Sequence, residues 1–183
     1  MPTLTRRARR RRDRYEAMVR GNRITLLHDG AASLPAMLEA VEAAEREVLF
    51  EMYWFGSDRT GWRFADALSR RARAGVRVCV VYDAVGSIDA DDAVFEAMRQ
   101  AGCDVRQYNP IAPWRRRFQV GLVNNRDHRK IVVVDRCVAF TGGVNVGDPW
   151  APEAEGGEGW RDDMIRLEGP AAEAMRDVFL HTW

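Results

Sequence analysis

The chain has 183 residues, 46% of them apolar and 30% charged, with a formal net charge of +1. That is the size and composition of one soluble globular domain with a sizeable core. Its longest apolar runs, 78–82 and 131–134, are strand-sized and exclude a membrane-spanning helix of roughly 20 residues. No apolar stretch follows the basic N-terminus, as a secretory leader would require.

Charge is unevenly placed. Residues 1–20 hold eight arginines against Asp13 and Glu16, a net of +6, whereas the remainder holds 20 basic and 25 acidic groups, a net of −5. A tail carrying Arg6, Arg7 and Arg9 to Arg12 can be solvated and disordered, can attract nucleic acid, or can tether to anionic lipid at about 1 kcal/mol per basic residue. Charge alone does not separate these readings. We divide the chain into this basic, disordered tail over 1–20 and one domain over 21–183.

In that domain, residues 22–27 predict a short strand. Ser33 is placed as the N-cap of a helix with Pro35 in its first turn, and Leu34, Met37, Leu38, Val41 and Ala44 form its apolar stripe. Residues 48–55 predict a second strand. Another helix starts near Thr60, buries Phe64, Ala65, Leu68 and Ala72, and stops at Gly75. The run 76–82 is β-branched and, Arg77 apart, apolar on both faces, which suits a covered central strand. A third helix runs from about Asp91 to Gly102, followed by a strand over 104–108.

Alternation of this kind predicts an α/β domain with a mixed, largely parallel sheet and helices on both faces. Residues 109–127 read as a loop with the cluster Trp114-Arg115-Arg116-Arg117-Phe118, which could dock at a headgroup layer or pack on a partner. Strands resume over 130–135 and 138–141. An acidic loop over 150–159, a strand over 164–167 and a helix over 170–183 complete the pattern. Cys79, Cys103 and Cys137 are odd in number and lack metal-ligand spacing, so they read as reduced small hydrophobes.

One residue type is singular. Lys130 is the only lysine, and the other 27 basic residues are arginines. It stands two positions after His128, so on an extended segment both side chains emerge on one face. A compact ammonium can sit against a phosphate oxygen without the fork geometry an arginine demands. Asp135 lies seven positions from His128, an odd separation that turns it to the opposite face and gives it a structural role at the strand end. Gly142 and Gly143 permit close backbone approach to a ligand, and Asn145 can donate its amide to a phosphoryl oxygen.

His128-x-Lys130, four residues, Asp135, then Gly142-Gly143-x-Asn145 resembles the signature of the phospholipase D superfamily. The surroundings resemble the N-terminal half of a bacterial cardiolipin synthase of the type without N-terminal transmembrane helices. They include residues 21–27, Tyr53-Trp54-Phe55, 74–78, Asn125-Arg126-Asp127-His128-Arg129-Lys130 and Trp160-Arg161-Asp162 with 166–170. Arg136 departs from the small turn residue many members have there.

The resemblance implies a catalytic set of His128, Lys130, Asp135 and Asn145, with Gly142, Gly143 and Asp162 supporting phosphate binding. It implies ping-pong phosphatidyl transfer: His128 attacks a phosphodiester phosphorus, Lys130 and Asn145 bind the non-bridging oxygens, and Asp162 orients His128. No cofactor or metal is implied, since no His, Cys or carboxylate cluster has ligand spacing. Implied partners are phosphatidylglycerol, an anionic membrane surface at the cytoplasmic face, and a second motif-bearing half or a homodimer mate, because this chain carries one motif where the family site uses two. The alternatives are a one-motif homodimeric nuclease or phosphodiesterase and an inactive regulatory half. The acidic body after residue 20 offers no evident groove for nucleic acid. A purely regulatory half would have no use for His128, Lys130 and Asn145 together.

Overall fold

The computed structural model describes residues 16–110 and 126–183. The arginine run at 6–12 and the Trp114–Phe118 cluster lie outside the described residues. Strand β1 (Glu16–Val19) and strand β2 (Asn22–His28) are followed by helix α1 (Asp29–Glu42) and strand β3 (Glu47–Met52). Helix α2 (Arg59–Arg73), strand β4 (Arg77–Asp83), helix α3 (Asp92–Gln100) and strand β5 (Asp104–Tyr108) come next. Strands β6 (Ile131–Val134), β7 (Val138–Gly142) and β8 (Asp163–Glu168) precede helix α4 (Ala171–Thr182).

All eight strands form one mixed sheet in the order β1-β2-β8-β7-β6-β3-β4-β5. The α/β class is as the sequence predicts, with α1, α2 and α3 on one face and α4 on the other. The proportion of parallel pairing is not. Only β3–β4 and β4–β5 are parallel, and the other five pairings are antiparallel.

The reason lies in the connections. β6 and β7 are joined by Asp135-Arg136-Cys137, too short for a parallel crossover of a dozen residues or more. Asp135 and Arg136 both take positive φ, at 50° and 62°, to reverse the chain there. β2 and β3 run the same way, yet β8, β7 and β6 are inserted between them.

β3 and β6 are buried along their whole length, as expected of central strands covered on both faces. Val48, Phe50, Val80, Tyr82, Val132 and Val134 face the three-helix layer, where Tyr82 stacks on Phe95 of α3 at 3.7 Å. Leu49, Val81, Ile131, Val133 and Ala139 face α4 through Phe179. Two details depart from the sequence reading. Glu16–Val19 pairs with β2, so ordered structure begins inside the stretch assigned to the tail. Helix α1 starts at Asp29, four residues before the expected Ser33 cap. Ser33 is instead buried inside the helix, its Oγ without a hydrogen-bond partner.

Direction of the strands places the functional edge. The C-terminal ends of β2, β3, β4 and β7 and the N-terminal ends of β6 and β8 gather at one edge of the sheet. Ligands of open α/β sheets sit outside such strand ends. Two aspartates tie the β7–β8 connection to α2 at this edge. Asp58 caps α2 at Gly61 N–H (2.9 Å) and accepts Asp148 N–H (2.6 Å), while Asp148 accepts Thr60 N–H (3.0 Å) and its hydroxyl (2.6 Å).

Candidate active site

His128 and Lys130 stand on the extended segment that enters β6 at this edge. His128 is exposed, whereas Lys130 retains 3% of its accessible surface. The ammonium of Lys130 donates to the His128 carbonyl at 2.7 Å and lies 3.2 Å from His128 Nδ1. It also sits 4.9 Å from the centroid of the Tyr53 ring, which packs against the His128 imidazole at 4.3 Å with the two planes tilted by 45°. Tyr53 follows β3 directly, so the strand end supplies a shared aromatic wall for the cation and the imidazole.

Burial pushes the Lys130 ammonium down to about 8, opposed by the charges of Asp162, Asp127 and Asp83. A lysine so placed is an ammonium of reduced basicity, matched to an incoming anion that would replace its lost water.

Asn145, after the two glycines that end β7, is 4% exposed. Its Oδ1 accepts the Trp54 N–H at 3.0 Å, and its Nδ2 makes a long contact of 3.4 Å to the Gly143 carbonyl. The backbone therefore fixes the amide through its oxygen, and the nitrogen keeps donor capacity.

The glycines mark a close approach between two strands. A Cβ at Gly143 would lie 1.9 Å from Asp162 Oδ1, and one at Gly142 would lie 2.3 Å from the Asp163 carbonyl. Both are needed for close approach of β7 to the start of β8. Gly143→Ala should displace the Asp162 carboxylate at a cost of about 1–3 kcal/mol, measured as a fall in the denaturant midpoint at unchanged m.

The structure gives Asp162 no hydrogen bond to His128. Its carboxylate packs on Gly143 and accepts Asp163 N–H at 2.9 Å, and its charge favours the ammonium of Lys130.

Asp135, the aspartate of the motif, does not join the site. β6 separates it from Lys130, five residue steps or roughly 16 Å at about 3.3 Å each. Its carboxylate accepts the N–H groups of Glu45 (2.9 Å), Arg46 (2.8 Å) and Glu47 (2.8 Å), fixing the entry to β3. Burial raises its pKa, but these three bonds prevail and hold it below the usual carboxylate range. Asp135→Ala should cost about 2–3 kcal/mol in an unfolding titration, from lost charge-assisted bonds and the left-handed backbone. The position of Lys130 should not change.

Four residues near the site escape the motif. Tyr53, Asp127 and Arg129 lie in segments that carry the resemblance but have no role of their own in the motif, and Glu51 lies outside it. Adjacency of Asp127 and Arg129 to His128 was the one available signal. Asp83 Oδ2 accepts Asp127 N–H at 3.0 Å, and Arg129 Nε donates to Asp127 Oδ1 at 2.8 Å, anchoring the segment from behind. Among the described residues no group of three or more His, Cys, Asp or Glu is arranged to hold a metal ion.

The profile of the family described as "Cardiolipin synthase, PLD-like domain" matches residues 37–183. Cardiolipin synthase 1 of Bacillus anthracis is 35% identical over 159 residues, covering 86% of this chain and 30% of that protein. Cardiolipin synthase A of Pseudomonas aeruginosa is 37% identical over 162 residues, covering 88% and 32%. The chain thus spans about a third of the length of these relatives.

Among solved structures, the phospholipase D family member Nuc of Salmonella typhimurium superposes with a TM-score of 0.65 at 18% identity, covering 88% of this chain and 94% of that one. Phosphatidylserine synthase of Haemophilus influenzae gives 0.67 at 15%, covering 94% and 39%. These likenesses describe the fold. With residues 37–183 inside the family's profile and its spacing intact from His128 to Asn145, this chain belongs to the cardiolipin synthase PLD-like domain family.

Proposed function

We propose that this domain is one catalytic half of a phosphatidyltransferase that forms cardiolipin from phosphatidylglycerol. The observation that carries the reading is the exposed His128 imidazole beside the buried ammonium of Lys130, 3.2 Å away. An imidazole nitrogen of His128 attacks the phosphorus of phosphatidylglycerol, the P–O bond to glycerol breaks, and a phosphatidyl-histidine forms. The headgroup hydroxyl of a second phosphatidylglycerol then attacks phosphorus and frees the histidine. Splitting one displacement into two lowers each barrier.

In the unliganded site the lone pair of Nδ1 is engaged by Lys130 Nζ. A phosphoryl oxygen drawn to that ammonium exchanges this contact for its own and leaves the imidazole to react. Lys130 and the Asn145 amide hold the non-bridging oxygens as charge develops. Asp162 keeps Lys130 charged, and Asp135 sets the strand rather than the chemistry.

The leaving glycerol needs a proton donor, which we assign to a second motif-bearing half, either another copy of this domain or a companion domain. We place the enzyme peripherally at the cytoplasmic face of a bacterial membrane, on anionic lipid. No described helix is long and apolar enough to cross a membrane.

A one-motif homodimeric phosphodiesterase is the second reading, favoured by the near end-to-end match with Nuc. Light scattering on the eluting species, followed by assay on phosphatidylglycerol vesicles, separates the two. Cardiolipin and glycerol from a dimer, or from this domain joined to a second half, support transfer. Cleavage of single-stranded DNA by a dimer inert towards phosphatidylglycerol would replace that reading with the second.

A further inference from the structure

Behind the His128 segment lies a buried acidic group that the proposed chemistry does not use. Glu51, the penultimate residue of β3, is fully buried, across the ladder from Ile131, the residue after Lys130. Arg129 Nη2 approaches its Oε1 to 3.1 Å, yet neither oxygen receives a well-directed hydrogen bond from a donor group. Such a carboxylate, if charged, would bear most of its desolvation cost unrelieved.

Its neighbours make the charge count uneven. Asp83, from β4, accepts the N–H groups of Val85 (2.8 Å), Gly86 (3.0 Å) and Asp127 (3.0 Å), with Arg126 at 3.6 Å. Asp127 accepts Arg129 N–H at 3.2 Å and Nε at 2.8 Å. Arg129 also donates to the Thr182 hydroxyl in the last turn of α4, and the Tyr108 hydroxyl of β5 lies within its electrostatic reach. Among the described residues, the carboxyls of Asp83, Asp127, Glu51 and Asp162 thus face the Arg126 and Arg129 guanidiniums and the Lys130 ammonium. Asp83 and Asp127 accept several well-directed bonds suited to their ionised forms, whereas Glu51 has only the Arg129 guanidinium and the Thr182 hydroxyl nearby, neither of them well directed at it.

We propose that Glu51 is a positioning residue: a neutral carboxyl that donates its proton to Asp127 and, with Arg129, holds the segment presenting His128 and Lys130. The bond is a carboxyl O–H to carboxylate contact, which satisfies Glu51 and leaves Asp127 free to take Arg129. Burial first, then the negative charge of Asp127, push Glu51 well above the usual carboxylate range, against the opposing pull of Arg129. Through Arg129 and Thr182 the same unit ties the tip of α4 to the site. This deepens the functional reading and rests on it for the meaning of the positioning, while the proton's location can be tested without turnover.

The test compares the full chain with Glu51→Gln and Asp127→Asn in melting temperature between about pH 5 and about pH 9, with His128 followed through its imidazole resonances. A carboxyl whose pKa rises on folding gives stability that is present below its unfolded pKa and lost as pH climbs through the folded one. The wild type should lose melting temperature relative to Glu51→Gln as pH rises, since the glutamine has no proton to surrender, and Asp127→Asn, which removes the neighbouring negative charge but keeps the Glu51 carboxyl, should show a weaker loss. Glu51→Gln still donates to Asp127 and should leave the His128 resonances in place, whereas Glu51→Ala should move them.

A constant difference between wild type and Glu51→Gln across this range would overturn the shared proton. His128 resonances displaced by Glu51→Gln would overturn the positioning. If Glu51→Ala does not fold, the glutamine and asparagine variants decide both points. Absence of cardiolipin synthesis would count against the functional reading alone.

Discussion

Replacement of His128 by alanine should remove turnover, by about 10⁴-fold or more, while the domain keeps its fold. Loss of a covalent nucleophile is among the largest single-residue effects on rate, because the remaining groups act on an intermediate that no longer forms. Stability should hardly move. His128 is exposed, and its ring contacts are with Tyr53 and Lys130 rather than with the core. A substitution at such a place changes stability by about 0.5 kcal/mol or less.

The measurement has two parts. Acid-labile lipid phosphate, trapped on the protein after brief exposure to labelled phosphatidylglycerol, reports the intermediate, and a thermal melt reports the fold. Turnover belongs to whichever assembly makes cardiolipin, a dimer of this chain or a longer polypeptide. His128→Ala with residual rate near wild type would place the nucleophile elsewhere. A variant that melts far below the wild type would give His128 a structural role.

The sequence showed the edge of the sheet better than its interior. His128 and Lys130 could be paired because a two-residue separation has one geometric meaning on an extended chain. The parallel half, β3 to β5, was legible through helices of 15 and 9 residues between covered strands. Sheet order beyond β6 was not. Antiparallel neighbours need only a tight turn, and nothing local in β2 reveals that its partner is β8, about 140 residues later.

Gly142 and Gly143 illustrate the same limit within the site. A glycine pair announces that something comes close, but the sequence cannot say what. Here it is the start of β8, with the Asp162 carboxylate filling the space a side chain at Gly143 would need. Glu51 was still less visible. An acid near the end of the apolar strand Glu47-Val48-Leu49-Phe50-Glu51-Met52 looks like an exposed position until its partners, the buried Asp127 and the Arg129 guanidinium, arrive from a segment 76 residues or more away.

The second large effect is expected where formal charge does not change. Lys130→Arg should lower kcat/KM for cardiolipin formation by about 10²–10³-fold, the loss typical of one misplaced oxyanion donor. Lys130 is buried with its single nitrogen held by the His128 carbonyl at 2.7 Å and against the Tyr53 ring. A guanidinium is planar, carries five donors and is wider than an ammonium, so in that slot it must displace either Tyr53 or the imidazole. Charge survives and placement does not. Near-normal activity in Lys130→Arg would show that a cation of any shape suffices.

The pH profile separates this account from general disruption. Burial lowers the ammonium to about 8, so in the free enzyme the charged form is present below that pH and lost above it. For wild type, kcat/KM should therefore fall on the alkaline side of about pH 8. Arginine does not deprotonate in this range, so the residual activity of Lys130→Arg should lack that limb. If the limb persists unchanged in the variant, the titrating group is another one, and the buried pair of Glu51 and Asp127 beneath the same strand becomes the group to examine.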